Sequence, residues 1–227
     1  MLIETAKNSY EITATYIGNY EMSDSGQVKY LKLDIQDKSA YSNLFKNFRP
    51  EAVIHTASIG SPDYAQKNRE KTWLVNVGGT QNMLSNCELF GAKFVYVSSN
   101  AIYDGKKPPY GESDLAEPIN YYGEVKLEGE NLTKKSKITY AIVRPILMYG
   151  WNYAFERPNV TTIALSKLKK GESVNIYEDV FYNPILSEYC AQAIWRLIKN
   201  GTYEEFNIGG KDTVSVYELI KVAAEVF

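Results

Sequence analysis

Residues 70–98, EKTWLVNVGGTQNMLSNCELFGAKFVYVS, decide the fold. Trp73, Leu74, Val77, Met83 and Leu84 recur at helical intervals, which predicts a helix over residues 70–90. Gly91 stands where a helix-ending glycine belongs. Residues 93–98 (KFVYVS) then read as a buried strand. A long helix running into a short apolar strand is half of a βαβ crossover. Working outward, the alternation recurs. Residues 10–17 (YEITATYI), 27–33 (QVKYLKL), 52–56 (AVIHT) and 139–144 (TYAIVR) read as strands, and residues 40–48 and 121–134 as helices. The pattern predicts an α/β doubly wound domain with a parallel sheet covered on both faces, spanning residues 1–150. Its ligand crevice is expected at the C-terminal ends of the strands.

After Gly150 the pattern changes. Residues 160–170, 188–199 and 215–227 read as helices, with Ser215 and Glu218 spaced for a capping box. Residues 174–177 (VNIY) and 205–208 read as strands. A smaller lobe over residues 151–227 is expected to lie across the mouth of the sheet and to carry substrate specificity.

Composition narrows the function classes. Lys and Arg are interspersed with Asp and Glu, the net charge is −2, and no basic stripe points to nucleic acid. No apolar run has the length of a membrane span. Cys87 and Cys190 lie apart in apolar patterns and read as reduced core thiols, in keeping with a cytoplasmic location. The single histidine, His55, excludes a His-rich metal site, so no metal is expected.

The chemistry centres on Tyr122-Gly-Glu-Val-Lys126, downstream of Val95-Tyr-Val-Ser-Ser99. Residues four apart on a helix share a face. Free tyrosine ionises near pH 10, and an adjacent lysine cation favours the phenolate. With a serine hydroxyl sharing the proton, this set is suited to moving a proton on or off a carbonyl or alcohol oxygen, the partner step of hydride transfer.

These residues resemble the extended short-chain dehydrogenases/reductases, which act on nucleotide-linked sugars. The segment from Val95 to Gly105 (VYVSSNAIYDG) resembles that family's serine/threonine strand, and Tyr122 with Lys126 its Tyr-x-x-x-Lys. Leu33-Asp34-Ile35, Ile54-His55-Thr-Ala57, Val75-Asn76-Val-Gly-Gly-Thr80, Arg144-Pro145 with Tyr149-Gly150, and Phe206-Asn-Ile-Gly-Gly210 follow in the family's order. Within it, Tyr103-Asp104-Gly105, the Asn120-Tyr121-Tyr122-Gly123 approach and Tyr182-Asn-Pro184-Ile185 look most like dTDP-4-dehydrorhamnose reductases, whose relatives include sugar epimerases and a non-catalytic regulatory subunit of methionine adenosyltransferase.

The resemblance implies an NAD- or NADP-dependent reductase of a nucleotide-linked 4-keto sugar. Ser99, Tyr122 and Lys126 are its expected catalytic residues, with Ser98 as the alternate serine. Asp34, His55, Ala57, Asn76, Lys126 and Arg144 are expected around the cofactor, Asp34 at the adenine. Ser99, Asn100, Asp63 and Tyr149 are expected near the sugar, in a pocket shaped by residues 154–170 and 181–188. For His55 packing, and for Asp63 a solvated loop, are the competing roles. Asn76 and Arg144 have structural alternatives. The resemblance also implies a homodimer through sheet-flanking helices. Two other readings stay open: an epimerase or dehydratase with tightly held NAD, and a binding or regulatory subunit without turnover.

The sequence departs from the pattern in places. Ser99-Asn100 stands where Thr-Asp is usual, and Leu147 where a tryptophan is common. Tyr16-Ile-Gly-Asn19 offers neither the acid that favours NAD nor the arginine that favours NADP. The family's opening strand and Gly-x-x-Gly-x-x-Gly turn are absent, as though residues 1–9 were the tail of the helix after that turn. Both ends are read as those of a fragment, or else of a chain that has lost its central strand, which leaves two neighbouring strand edges exposed.

Overall fold

The computed structural model describes residues 1–153 and 158–227. Helix α1 (Leu2–Ala6) leads into β1 (Ile12–Tyr16), β2 (Val28–Lys32), α2 (Lys38–Phe48) and β3 (Ala52–His55). One long helical passage follows: α3 (Pro62–Lys67), α4 (Arg69–Trp73), a π-helical turn (Leu74–Gly78) and α5 (Gly79–Phe90). Then come β4 (Lys93–Val97), a 3₁₀ turn (Asn100–Ile102), α6 (Tyr121–Lys135) and β5 (Tyr140–Pro145). The remainder is β6 (Met148–Tyr149), α7 (Val160–Leu168), β7 (Phe181–Tyr182), β8 (Ile185–Leu186), α8 (Ser187–Asn200), β9 (Glu205–Ile208), β10 (Val214–Ser215) and α9 (Val216–Val226).

The main sheet is parallel throughout, in the order β3-β4-β5-β9. Its middle strands are buried on both faces, so they read as continuous apolar runs. Phe94, Val95, Tyr96, Ala141, Ile142 and Val143 are all at most 1% exposed. On one face Phe94, Tyr96 and Ile142 pack with Tyr41 and Phe45 of α2 and Met83, Leu84 and Cys87 of α5. On the other, Val95, Ala141 and Val143 pack with Cys190 and Ile194 of α8. Both cysteines are buried and unpaired.

The sheet is split. β1 pairs in parallel with β2 alone, and β3 pairs with β4 alone, so one edge of β1 and one of β3 carry no ladder among the described residues. Side chains tie the two pieces together. Tyr41 donates its hydroxyl to Thr15 Oγ1 at 2.9 Å, and the Asn82 amide donates to the Ile35 carbonyl at 2.9 Å. Gly79 lets Ile35 lie against the start of α5, where a Cβ would meet Ile35 Cγ1 at 2.7 Å.

Three features differ from the sequence reading. The π-helical turn interrupts the expected continuous helix over residues 70–90. Residues 174–177 form no strand: Val174 and Ile176 instead pack against Ala164, Val216 and Ile220. The lobe boundary at residue 150 does not divide the sheet, because β9 supplies β5 with its outer partner and α8 covers the sheet. Among the described residues α7, α9, the antiparallel pair β7–β10 and the loop carrying Val174 and Ile176 build a core apart from it. The capping box of α9 is present, with Ser215 Oγ accepting from Glu218 N at 3.1 Å and Ser215 N donating to Glu218 Oε2 at 2.7 Å.

Candidate active site

Ser99 lies just past the C-terminal end of β4, where its hydroxyl caps the 3₁₀ turn by accepting from Ala101 N at 3.2 Å. That leaves the hydroxyl proton free to be donated elsewhere. Asn100 begins the same turn. Helix α6 starts alongside, capped by the Asn120 side chain on Gly123 N at 2.9 Å. Gly123 packs so tightly on the turn that a Cβ there would overlap the Ala101 carbonyl oxygen. The close approach brings the start of α6, with half-buried Tyr122, against the turn that carries Asn100 and follows Ser99.

Lys126, one turn further along α6, is 4% exposed. Its ammonium donates to the Val97 carbonyl at 2.9 Å and lies 5.2 Å from the Tyr96 ring centroid and 6.0 Å from that of Tyr122. Burial pulls its pKa down to about 8, and Glu130 opposes that fall. Gly129 admits the Tyr96 ring against α6, and Tyr96 donates its hydroxyl to the Lys126 carbonyl at 3.4 Å.

His55, at the end of β3, is 4% exposed and stacks on Phe94. Its Nε2 lies 3.0 Å from Thr80 Oγ1, whose one proton is donated to the Asn76 carbonyl at 2.6 Å. Nε2 is therefore the protonated nitrogen and the donor. Burial, and then the Lys126 charge, push its pKa down to about 3. His55 is thus neutral and packed, with its Nε2 already engaged.

Asn76 is 2% exposed, and its amide is used on the loop after β3. It accepts from Ile59 N at 2.7 Å and donates to Ile59 O at 3.2 Å. It ties that loop to the π-helical turn, the structural role weighed for it beside the cofactor one.

Arg144 sits in a buried ion-pair network. Its Nε donates to Glu130 Oε1 at 2.9 Å and Nη2 to Glu130 Oε2 at 2.7 Å. Nη2 also pairs with Glu205, and Nη1 donates to Tyr103 Oη and Glu112 O, each at 3.0 Å. A guanidinium has five N–H donors, and all five are engaged. Burial opposes its charge, but Glu130 outweighs that and its pKa is raised. Arg144 has nothing left to offer a cofactor.

The remaining expected residues lie more openly. Asp34 follows β2, and its Oδ1 accepts from Gln36 N at 2.9 Å in an Asx turn. Ala57 is exposed after β3, and Asp63 is exposed in the first turn of α3. Tyr149 is half-buried in β6, which pairs with β8. Of the two segments expected to shape a sugar pocket, residues 154–157 lie outside the described residues, and residues 181–188 contain β7 and β8.

Among the described residues four buried hydroxyls, those of Ser58, Ser98, Thr161 and Tyr203, have no hydrogen-bond partner, and the first two stand near the sheet's C-terminal edge. Ser98 follows β4, Ser58 lies in the loop after β3, and Lys126 keeps N–H groups beyond the one given to Val97. Orphaned donors at the strand ends fit the polar, nicotinamide-bearing half of a dinucleotide. The glycine-rich cradle for a pyrophosphate is not in this sequence. Among the described residues no helix is long and apolar enough to cross a membrane, and no cluster of His, Cys, Asp and Glu is arranged to hold a metal. Tyr96, Thr80 and Glu130 pack around these residues, and none of them carries a role in the sequence reading.

Residues 4–227 match the model of the RmlD substrate binding domain family. The β subunit of methionine adenosyltransferase 2 from Rattus norvegicus is 26% identical over 204 residues, covering 88% of this chain and 61% of the relative. The chain thus spans about three-fifths of the length of such curated relatives. The dTDP-4-dehydrorhamnose reductase of Bacillus anthracis, solved in complex with NADP, is 27% identical, with a TM-score of 0.82 over 88% of this chain and 71% of its own. A hypothetical dTDP-4-dehydrorhamnose reductase from Sulfolobus tokodaii, 23% identical, shares the fold across 100% of this chain and 77% of its own, with a TM-score of 0.83. By its sequence and its Rossmann-type parallel sheet, this chain belongs to the RmlD substrate binding domain family of the extended short-chain dehydrogenases/reductases.

Proposed function

We propose that this chain carries the proton-transfer site of an NAD(P)-dependent oxidoreductase that reduces the keto group of a nucleotide-linked 4-keto sugar. The observation that carries the reading is the burial of Lys126 one helical turn from Tyr122, beside the strand end that bears Ser99. The NAD(P)H supplies a hydride to the carbonyl carbon when bound. Tyr122 gives its phenolic proton to the carbonyl oxygen, so C=O becomes CH–OH and Tyr122 is left as a phenolate. The Lys126 ammonium offsets that phenolate charge in a site where few dipoles compete. Ser99 donates to the same oxygen and fixes its direction. Asp34 and Ala57, at the ends of β2 and β3, line the path of the cofactor, while Asn100, Asp63 and Tyr149 flank the sugar. The family match and the likeness to an NADP-bound reductase support this reading.

The test is NADPH and NADH oxidation by the complete gene product with a dTDP-4-keto-6-deoxy sugar. Tyr122→Phe is expected to lower kcat by about 10²–10⁴-fold with the fold intact. Near-normal turnover in that variant overturns the reading.

A second reading is favoured by the likeness to the methionine adenosyltransferase subunit: a binding subunit without turnover. It replaces the first if the complete gene product binds no dinucleotide in a calorimetric titration. An epimerase would instead release bound NAD on denaturation.

A further inference from the structure

Helix α6 carries Tyr122, Lys126, Glu130 and Lys134 at four-residue intervals, so they lie along one stripe. The proposed proton transfer uses the first two and leaves Glu130 without a role. Glu130 is wholly buried, accepts from Arg144 on both oxygens, and has the Lys134 ammonium at 3.8 Å. Carboxylates are almost never found fully buried unless paired, and such a group is costly to keep.

The surroundings of Lys126 suggest what Glu130 does. The ammonium meets the Val97 carbonyl and the rings of Tyr96 and Tyr122. From β3 it faces His55, which is neutral. The charged groups of the neighbouring α3, α4 and α5 (Asp63, Lys67, Arg69, Glu70, Lys71 and Glu88) are all exposed, where water screens them. Their other titratable groups, exposed Tyr64 and the buried Cys87 thiol, whose pKa burial pushes up, are neutral. On the far side of Glu130 stand Arg144, Glu205 and Lys134, two cations balancing the two carboxylates. Glu130 is the buried anion within a turn of Lys126.

We propose that Glu130 is a positioning residue for the proton-transfer pair: fixed by the Arg144 fork one helical turn beyond Lys126, its carboxylate holds that buried amine as the ammonium that favours a Tyr122 phenolate. The inference rests on the reading of Tyr122 and Lys126 given above. It explains why a charged pair lies beneath an otherwise apolar strand, and why the strand residue is an arginine, whose bidentate fork fixes a carboxylate where a lysine would not.

The test reads Lys126 directly, without turnover. The side-chain ¹⁵N resonances of the lysines in the whole protein are titrated with pH, and the Lys126 signal is assigned by its loss in Lys126→Met. Glu130→Gln is expected to lower the Lys126 midpoint by about one pH unit. Glu205→Gln, which takes the other carboxylate from Arg144, is expected to move it by less than about 0.3. Equal shifts in both variants, or none in Glu130→Gln, overturn the proposal. If Glu130→Gln does not fold, Arg144→Met, which leaves the carboxylate uncompensated, is expected to raise the Lys126 midpoint, and an unchanged or lowered midpoint there overturns the proposal equally. Glu130→Asp keeps the charge and is expected to restore a midpoint close to that of the wild type. Normal turnover by Tyr122→Phe would defeat the catalytic reading while leaving this titration as it stands.

Discussion

The Lys126 ammonium donates to the Val97 carbonyl at 2.9 Å, and this bond ties the first half of α6 to the end of the strand that leads to Ser99. The amine is therefore fixed where a substrate oxygen would need it, but it is out of water. Its cost and its use come from the same burial.

That cost has a defined pH window. Burial holds the Lys126 pKa at about 8, against an ordinary 10.5. Below pH 8 the amine is protonated in both the folded and unfolded chain, and folding bears about 3 kcal/mol for it. Between pH 8 and 10.5 the unfolded chain binds the proton more strongly, so this cost falls as pH rises through the window. Lys126→Met is expected to gain about 1–3 kcal/mol in urea unfolding at pH 7, a gain that shrinks by pH 10. A loss of stability at pH 7 would contradict this account.

His55 carries the opposite limb. Its folded pKa of about 3 lies below the ordinary 6.5, so the unfolded chain takes up the proton first as pH falls. Stability is then lost from pH 6.5 down toward 3, by roughly 5 kcal/mol in all. The imidazole proton resonances of the single histidine should stay flat from pH 8 to 5. His55→Gln, which keeps a donor near Thr80, is expected to flatten the acid limb of the stability curve.

The Arg144–Glu130 pair is expected to fail when half of it is removed. Arg144→Met strands a buried carboxylate and should cost about 3–5 kcal/mol. Adding Glu130→Leu should recover most of that loss, because no buried charge then lacks a partner. Urea unfolding of the two variants decides it.

Gly123 and Gly91 separate two reasons for glycine. Gly91 ends α5 at φ 73°, with open space where a Cβ would stand. Gly91→Ala should cost about 1 kcal/mol in backbone strain. Gly123 faces a backbone carbonyl that cannot turn aside, so Gly123→Ala should cost about 2–3 kcal/mol. It should also lower kcat more than it raises KM, because it pries Tyr122 from the turn next to Ser99. Equal effects from the two substitutions would show that the close approach is unimportant.

The legible parts of the fold were those with long periodic signals. The helix over residues 121–134 and the strand over residues 93–98 needed no tertiary information, and the structure places them within one residue of the reading. The two-residue strands β6, β7, β8 and β10 have no period to detect, since partners alone define them. Residues 174–177 alternate like a strand, but the apolar pair Val174 and Ile176 found helices to pack on instead. In the site, the Tyr122–Lys126 spacing and the serine-bearing strand end were legible, and the structure sets the start of α6 against the turn after Ser99. The partners of Arg144 and Asn76 were not legible, because a motif records that a residue recurs, not which groups its side chain satisfies. One signal for Glu130 was present: an arginine inside the apolar run YAIVRP demands a buried anion, and Glu130 follows Lys126 by one turn.

The divided sheet has a mechanical consequence. A continuous ladder would make the position of Asp34 relative to Tyr122 a property of the backbone. Here the β1–β2 ribbon is moored by the Tyr41–Thr15 and Asn82–Ile35 bonds and by the nesting of Ile35 on Gly79. Under the reading proposed above, the span between Asp34 and Tyr122 is thus calibrated by side chains, and loosening any of these bonds would put the two residues out of gauge before either had unfolded.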